Sequence, residues 1–359
     1  MRQEGYDMIN MKICEAAGWL LHRQRLIKPV QCPAEYDELF RTMAPVPTPY
    51  WCAPGTAPKL AHRAAFDDQA YTYGLRAQRI IVKGRFQRGN IGYIFADQWP
   101  LFAALYCKPL AAMSPRQKLL WTCLEQEGPL SVGQLREVTG LPAKEITPAL
   151  HRMQQAFLVF EDQADGEGDR SWFRFESEFP DTDLATYNQE QALAMVLPEL
   201  IALNGFLDSG GLADVLALPE RIVRTAADRL TDRGVLRTAC LEGVSGYVTA
   251  KDAGRTAPRA ETSVFALDRN DFCVRCHSRE LKKRMTPAQG DTLYYLLIDG
   301  RFAGIVTGRF RNGPFEAWDV QLQLGADEAK ARQEEILQAV AQVLDPAVSP
   351  LRRYQGRVL

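Results

Sequence analysis

Cys273-Val274-Arg275-Cys276-His277 is a short run whose residue types and spacing match known chemistry: covalent haem attachment, or half of a zinc site. A zinc site needs roughly four ligands, and the other histidines, His22, His62 and His151, are scattered along the chain. Read as a strand, the segment would also send Cys273 and Val274 to opposite faces. Haem attachment needs an export context, and the opening Met1-Arg2-Gln3-Glu4-Gly5 is polar with no long apolar run behind it. The expectation is therefore no metal and no cofactor. No P-loop, dinucleotide fingerprint or Gly-x-Ser-x-Gly elbow occurs. Glu35, Asp37 and Glu38, next to a run of prolines, are carboxylates that could activate water. As ordinary helix-surface carboxylates they need no such role, and the catalytic residues stay unassigned.

Cations that could hold phosphate are denser. Arg76, Arg79, Lys83, Arg85 and Arg88 form one run; Arg275, Arg279, Lys282, Lys283 and Arg284 form another, and Arg309 and Arg311 alternate to one side of a strand. Brought together they would line a positive cleft, although the whole chain has 43 basic against 44 acidic side chains and a net charge of −1. Lys144, His151 and Gln155, with Arg152 at the edge, share a helix face opposite Ile146 and Leu150 and could reach phosphates or base edges. Arg221, Arg224 and Asp228 face outward from a later helix, where Arg224 and Asp228 are spaced to pair. Solvated helix faces are the competing reading of both sets. The tip formed by Asp162, Asp165, Glu167 and Asp169 outweighs Arg170 and would repel phosphate.

The elements that must position these residues repeat. Over residues 116–175, an apolar helix face of Leu119, Leu120, Cys123 and Leu124 stops at Gly128-Pro129. Ser131 and Gln134 form a capping box opening a short helix with Val132, Leu135 and Val138 inward. A turn at Thr139–Pro142 leads to a third helix marked by Ile146, Ala149, Leu150 and Met153, with Pro148 inside it. Phe157–Phe160 and Trp172–Phe175 then make a hairpin. Residues 192–250 repeat the plan: Leu212, Val215 and Leu216, a turn at Ala217–Pro219, a helix with Ile222, Val223, Ala226 and Leu230, Gly234 as its stop, and a hairpin around Gly243. This is the pattern of a winged helix-turn-helix, written twice.

Ahead of it the spacing predicts helices over Met8–Leu26, Ala34–Met43 and residues 70–85, separated by Pro45, Pro47, Pro49, Pro54 and Pro58, and a strand at Ile91–Phe95. A further, diverged winged helix is one reading of that region. Behind it, Leu293–Ile298, the turn Asp299-Gly300, Ile305–Arg311 and Glu316–Leu324 predict a small antiparallel sheet or barrel, followed by a helix over Asp327–Leu344. At 359 residues and 46% hydrophobic content, the chain can hold several ordinary globular domains. The apolar stretch at Trp99–Ala112 is broken by Pro100, Lys108 and Pro109 and is too short to span a bilayer. The scattered cysteines suit a reducing, cytoplasmic setting.

This order of domains resembles that of the AlkZ-type DNA glycosylases. Val82-Lys83-Gly84-Arg85-Phe86-Gln87-Arg88-Gly89-Asn90-Ile91-Gly92-Tyr93 with Asp97-Gln98-Trp99-Pro100 is similar to that family's arginine-glycine stretch, and Leu297–Gly300 with Gly304–Arg309 to its C-terminal hairpin. The resemblance implies two glutamines one residue apart that hold the attacking water. Here the matching stretch is Arg41-Thr42-Met43-Ala44-Pro45-Val46-Pro47-Thr48, with neither amide nor carboxylate side chains, and Gly92 stands where a histidine is common. Both departures count against the family mechanism.

The expectation is then a mainly α protein with α+β elements: an N-terminal helical domain (1–110), winged helices (111–182 and 183–258) and a C-terminal β domain with a terminal helix (259–359). Its expected partner is duplex DNA, intact or damaged, met as a monomer through Arg85, Arg88, Lys144, His151, Arg152, Arg221, Arg224, Arg309 and Arg311. Base excision is left open, and a non-enzymatic regulator or scaffold is the alternative.

Overall fold

Local capping sets the first helical unit. The Ser114 hydroxyl accepts from the Gln117 amide and the Gln117 side chain accepts from the Ser114 amide, opening the helix Pro115–Glu127, which Gly128 ends at φ 83°. The same reciprocal pair, Ser131 with Gln134, opens Val132–Thr139. Gly140, in the left-handed region at φ 70°, turns the chain into the helix Ala143–Gln154. Leu120, Leu124, Leu135, Ile146, Leu150, Met153 and Trp172 meet in one core. Leu119 and Val138, expected to face inward, are 43% and 56% exposed: each lies one step off the buried stripe. Pro148 lies beyond the first helical turn, on the exposed face. There the Lys144 carbonyl it leaves without an amide can turn to solvent. Leu130–Ser131, Ser171–Arg174 and Val159–Asp162 complete the unit as an antiparallel sheet.

The structure, a computed structural model, describes residues 8–50, 52–53, 55–162, 170–287, 289–310 and 314–359. The acidic tip residues Asp165, Glu167 and Asp169, and Arg311, lie outside them.

The second unit has the helices Gln189–Asn204, Ser209–Leu216 and Glu220–Asp232, then the hairpin Leu236–Leu241/Val244–Thr249. Glu242 and Gly243, at φ 49° and 82°, make its two-residue turn. A third strand joins this sheet from far away in sequence. Ile9–Met11 runs parallel to Leu236–Leu241, with Ile9 opposite Ala239, so the helix expected from Met8 starts only at Ile13. The helix expected over residues 70–85 also stops short, at Ala77. Ile81–Arg85 is instead a strand, antiparallel to Ile91–Phe95, because Ile80-Ile81-Val82 favours the pleated backbone.

The C-terminal sheet is larger than expected. Val264–Leu267, Asp291–Ile298, Arg301–Arg309 and Glu316–Leu322 are antiparallel neighbours, and Arg353–Tyr354 adds in parallel to the last before pairing with Arg357–Val358. Asp299-Gly300 forms the predicted turn, at φ 51° and 78°. The single helix expected over 327–344 is two, Ala326–Ala331 and Gln333–Ala341, broken at Arg332. The Arg332 guanidinium is drawn to Asp299 at 2.6 Å and Glu335 at 2.9 Å. One sheet face packs on Leu20, Leu21 and Leu26 from the start of the chain; the other packs on Ile336, Val340 and Leu344.

The chain is thus mixed helix and sheet rather than mainly helical. Its largest core runs from Val30 to Cys276 and joins the N-terminal region to the helix Gln189–Asn204. Trp99 sits in an aromatic cluster with Phe86, Phe157, Phe160 and Phe175. That cluster ties the hairpin of residues 81–95 to the first helical unit. Among the described residues no helix is long and apolar enough to cross a membrane.

Candidate functional site

The glycines of the arginine-glycine stretch have a steric cause. A Cβ at Gly84 would lie 2.3 Å from the Phe86 ring, and one at Gly92 would lie 2.8 Å from Pro45 Cβ. A histidine at position 92 would collide with the proline segment, so that departure and the proline run are one packing solution.

Arg85, at the end of this strand, turns toward the helix Ala143–Gln154. It donates to Gln154 Oε1 at 3.1 Å and to the Gly89 carbonyl at 3.1 Å, and its Nη2 lies 2.8 Å from His151 Nε2. A guanidinium only donates, so His151 accepts through a neutral Nε2. Burial first, then the charge of Arg85, push its pKa down to about 4, and at neutral pH it brings no charge to a phosphate. The unfolded chain takes up this proton near pH 6.5, before the folded chain does. Acidification from pH 6.5 to 4 therefore costs stability through His151. His151→Gln is expected to lose less melting temperature between pH 7 and pH 5 than the wild type; an identical loss would remove His151 from the account.

The other predicted phosphate ligands are dispersed over separate elements. Arg88 is exposed in the turn at φ 62°, and Lys144 is exposed near its helix start. Arg152 donates to the Lys108 and Pro109 carbonyls at 2.7 and 3.0 Å, fastening the preceding segment to the helix. Arg221 is exposed. Arg224 pairs with Glu220 at 2.5 Å and not with Asp228, which instead accepts from the Tyr247 hydroxyl at 2.7 Å. Arg309 is exposed at its strand end.

The two basic runs do not merge into one open positive cleft, because most of their charges are either buried or held by partners within the chain. Arg76 is buried and donates to the Gly55 carbonyl; Arg79 binds Asp162 and Glu178; Lys83 binds Glu161 at 3.2 Å. Arg275 donates to Gln87 Oε1 at 2.8 Å and the Pro45 carbonyl at 3.2 Å, Arg279 binds Asp214 and Glu220, and Arg284 binds Glu280. Lys282 and Lys283 stay exposed. Cys273 and Cys276 lie on a short helix, Phe272–Cys276, rather than a strand, and both are buried. Among the described residues no group of three or more His, Cys, Asp or Glu is placed to hold a metal ion.

What sequence reasoning missed is a cleft between the proline segment and the start of the C-terminal region. Met43, Val46, Pro47, Thr48 and Pro49 form one wall. Asp268, Asn270, Asp271 and Arg275 face them, and Lys59 and Arg63 also line the space. Asn270 Nδ2 donates to the Thr48 carbonyl at 2.9 Å, and Arg269 reaches the Tyr50 hydroxyl at 2.5 Å. Arg63, 1% exposed, binds Asp271 through both terminal nitrogens at 2.6 and 3.0 Å. The Asp268 carboxylate accepts from the Asn270 amide at 2.6 Å. Burial first, then the neighbouring charge of Asp271, push its pKa up to about 6 against backbone amide hydrogen bonds. The cleft is partly open to solvent, and its inner volume is about 30 Å³, room for a water molecule or two. Glu35, Asp37 and Glu38 do not line it; Asp37 accepts from the Tyr71 hydroxyl. No local signal pairs residues 43–49 with residues 268–275, more than 200 positions later.

No protein-family model and no curated protein matches the sequence. Among solved structures the chain is similar to the Streptomyces sahachiroi DNA glycosylase AlkZ, at 14% identity and a TM-score of 0.68, over 96% of this chain and 100% of that one. At that identity the likeness establishes an AlkZ-like fold.

Proposed function

We propose that this protein binds duplex DNA, intact or damaged, as a diverged relative of the AlkZ-type glycosylases. The observation that carries the reading is the end-to-end likeness to a DNA glycosylase, with neither chain leaving a large part unmatched. In this reading the two units of three helices and a hairpin are tandem winged helices. The helices Ala143–Gln154 and Glu220–Asp232 then lie nearest the DNA, with Lys144 and Arg221 as free cations. Arg88 and Arg309 add exposed charge, while Arg85, His151, Arg152 and Arg224 set the surface from behind or at its rim. A nucleotide drawn out of the duplex would be met at the mouth of the cleft at Met43–Pro49. The missing glutamine pair and the narrow interior of the cleft favour, as a second reading, a DNA-binding regulator or scaffold without base excision.

Fluorescence anisotropy with an intact duplex and one carrying a stable abasic-site analogue tests the reading. Tighter binding to the abasic duplex is expected. With about four to six phosphates neutralised, affinity should fall roughly 10²- to 10³-fold from about 50 to about 200 mM salt. Absence of binding to either duplex at low salt would overturn it.

A further inference from the structure

The C-terminal sheet is interrupted at one tryptophan. Between Arg301–Arg309 and Glu316–Leu322, Thr307 lies opposite Asp319 but Gly308 lies opposite Ala317, so Trp318 is the extra residue of a β-bulge. A bulge re-aims a side chain that regular pairing would send elsewhere. The indole is laid against Gly290, where a Cβ would come within 2.5 Å of Cζ3 and 3.0 Å of Cε3. Any larger residue at 290 would push the ring away. Trp318 stays partly exposed. Trp19 and Trp121 each lie under an arginine, and Trp99 and Trp172 lie against other rings. Among the described residues Trp318 has neither kind of partner.

The ring lines a pocket, open to solvent, of about 350 Å³ together with Gln289, Gln321, Arg352 and Arg353. Small-molecule sites span roughly 300–1,000 Å³. Both arginines are exposed, and among the described residues neither guanidinium has a carboxylate partner. Elsewhere in this sheet region the pattern is the reverse: Arg284 is held by Glu280, and Arg332 by Asp299 and Glu335. Asp319 also lines the pocket and is in register with Arg353, but its Oδ1 accepts from the Gly356 amide at 3.1 Å. The cations therefore outnumber the anion beside an unstacked ring.

An inorganic anion or an acidic peptide would use the arginines and leave the indole idle. A nucleotide uses both, with its base on the ring and its phosphate on a guanidinium. The glutamine amides can donate and accept at a base edge. In a duplex each base face is covered by the next base pair, so the fitting ligand is a nucleotide outside a duplex.

We infer that this pocket binds one nucleotide of single-stranded nucleic acid, its base stacked on Trp318 and its flanking phosphates held by Arg352 and Arg353. The inference does not rest on the duplex reading, which uses none of these residues.

The test is anisotropy of the full chain with a labelled oligothymidylate of about ten nucleotides, beside a duplex of the same sequence. Trp318→Ala should weaken the oligonucleotide roughly 5- to 100-fold, Trp318→Phe should keep most of the affinity, and duplex binding should change by less than about 2-fold in both. Unchanged thermal melting certifies that each variant is folded. The exposed pair Arg352→Gln with Arg353→Gln tests the site without touching the packed ring. It should lower the slope of log affinity against log salt by about 1.4, the share of two phosphates on a single strand. Thymidine monophosphate as competitor separates the strand from a free nucleotide. Displacement only at concentrations far above that of the oligonucleotide supports the strand; displacement at equal concentration overturns it in favour of a free nucleotide. Wild-type affinity in Trp318→Ala, or no binding of the oligonucleotide to the wild type at low salt, overturns the site. An equal loss on the duplex overturns its single-strand assignment.

Discussion

Asp271→Asn is expected to lower the stability of the folded chain by about 3–5 kcal/mol, the cost of leaving a buried charge without its partner. Arg63 is 1% exposed and its carboxylate partner is 6% exposed, so neither can turn to water. The remaining contacts of Arg63, to Gln24 Oε1 at 2.8 Å and the Ala61 carbonyl at 2.9 Å, are neutral. The Asp271 carboxylate also caps the helix Phe272–Cys276, accepting from the Cys273 amide at 2.8 Å. Asparagine can keep that bond but cannot neutralise Arg63. Thermal unfolding should drop by on the order of 10 °C. A double change, Arg63→Met with Asp271→Asn, should lose much less than the sum of the singles, because no stranded charge remains. Additive singles would mean that the pair is not coupled as the geometry requires.

That ion pair also shows what the sequence could and could not reveal. Signals confined to a few residues were legible: Ser131 with Gln134, Gly128 and Asp299-Gly300 each act within a turn or two of chain. The order of helices and hairpins followed from them. Pairings across long separations were not legible. Ile9–Met11 is a strand only because Leu236–Leu241 offers it an edge, and by itself Met8–Leu26 has a helical period. Arg332 reads as a helix interior residue until Asp299, 33 positions earlier, pulls on it. The basic runs were visible as composition, but the carboxylates that absorb them come from distant elements: Asp162 and Glu178 for Arg79, Glu161 for Lys83. Charge in a sequence is therefore a weak guide to surface potential where the folded chain can bury it. The cleft is the extreme case, since its walls come from opposite ends of the chain and only the fold puts Asp268 opposite Thr48.

Glu161→Gln should be comparably costly, and it probes the joint that carries the Arg85–His151 contact. Glu161 is fully buried on the strand Val159–Asp162. It meets Lys83 at 3.2 Å, from the N-terminal hairpin and 5% exposed, and Arg170 at 2.7 Å from its own unit. Burial alone would raise its pKa, but Lys83 and then Arg170 outweigh it and hold the carboxyl below its usual range. Its contribution is present above the unfolded value of about 4.5 and is lost as pH falls through the lower folded value. Glutamine at this position removes the counter-charge from Lys83, whose pKa burial already pushes down to about 8, so the buried amine is strained or gives up its proton, for a loss of about 3–5 kcal/mol at pH 7 by urea denaturation. The gap between variant and wild type should narrow on acidification below about pH 4.5, where the wild-type carboxylate is itself being neutralised. A loss under about 1 kcal/mol at pH 7 would show that the pair behaves as a solvated one. The hairpin of residues 81–95 would then owe its position to the aromatic packing of Phe86 and Trp99 and to the contacts of Arg85 and Gln87.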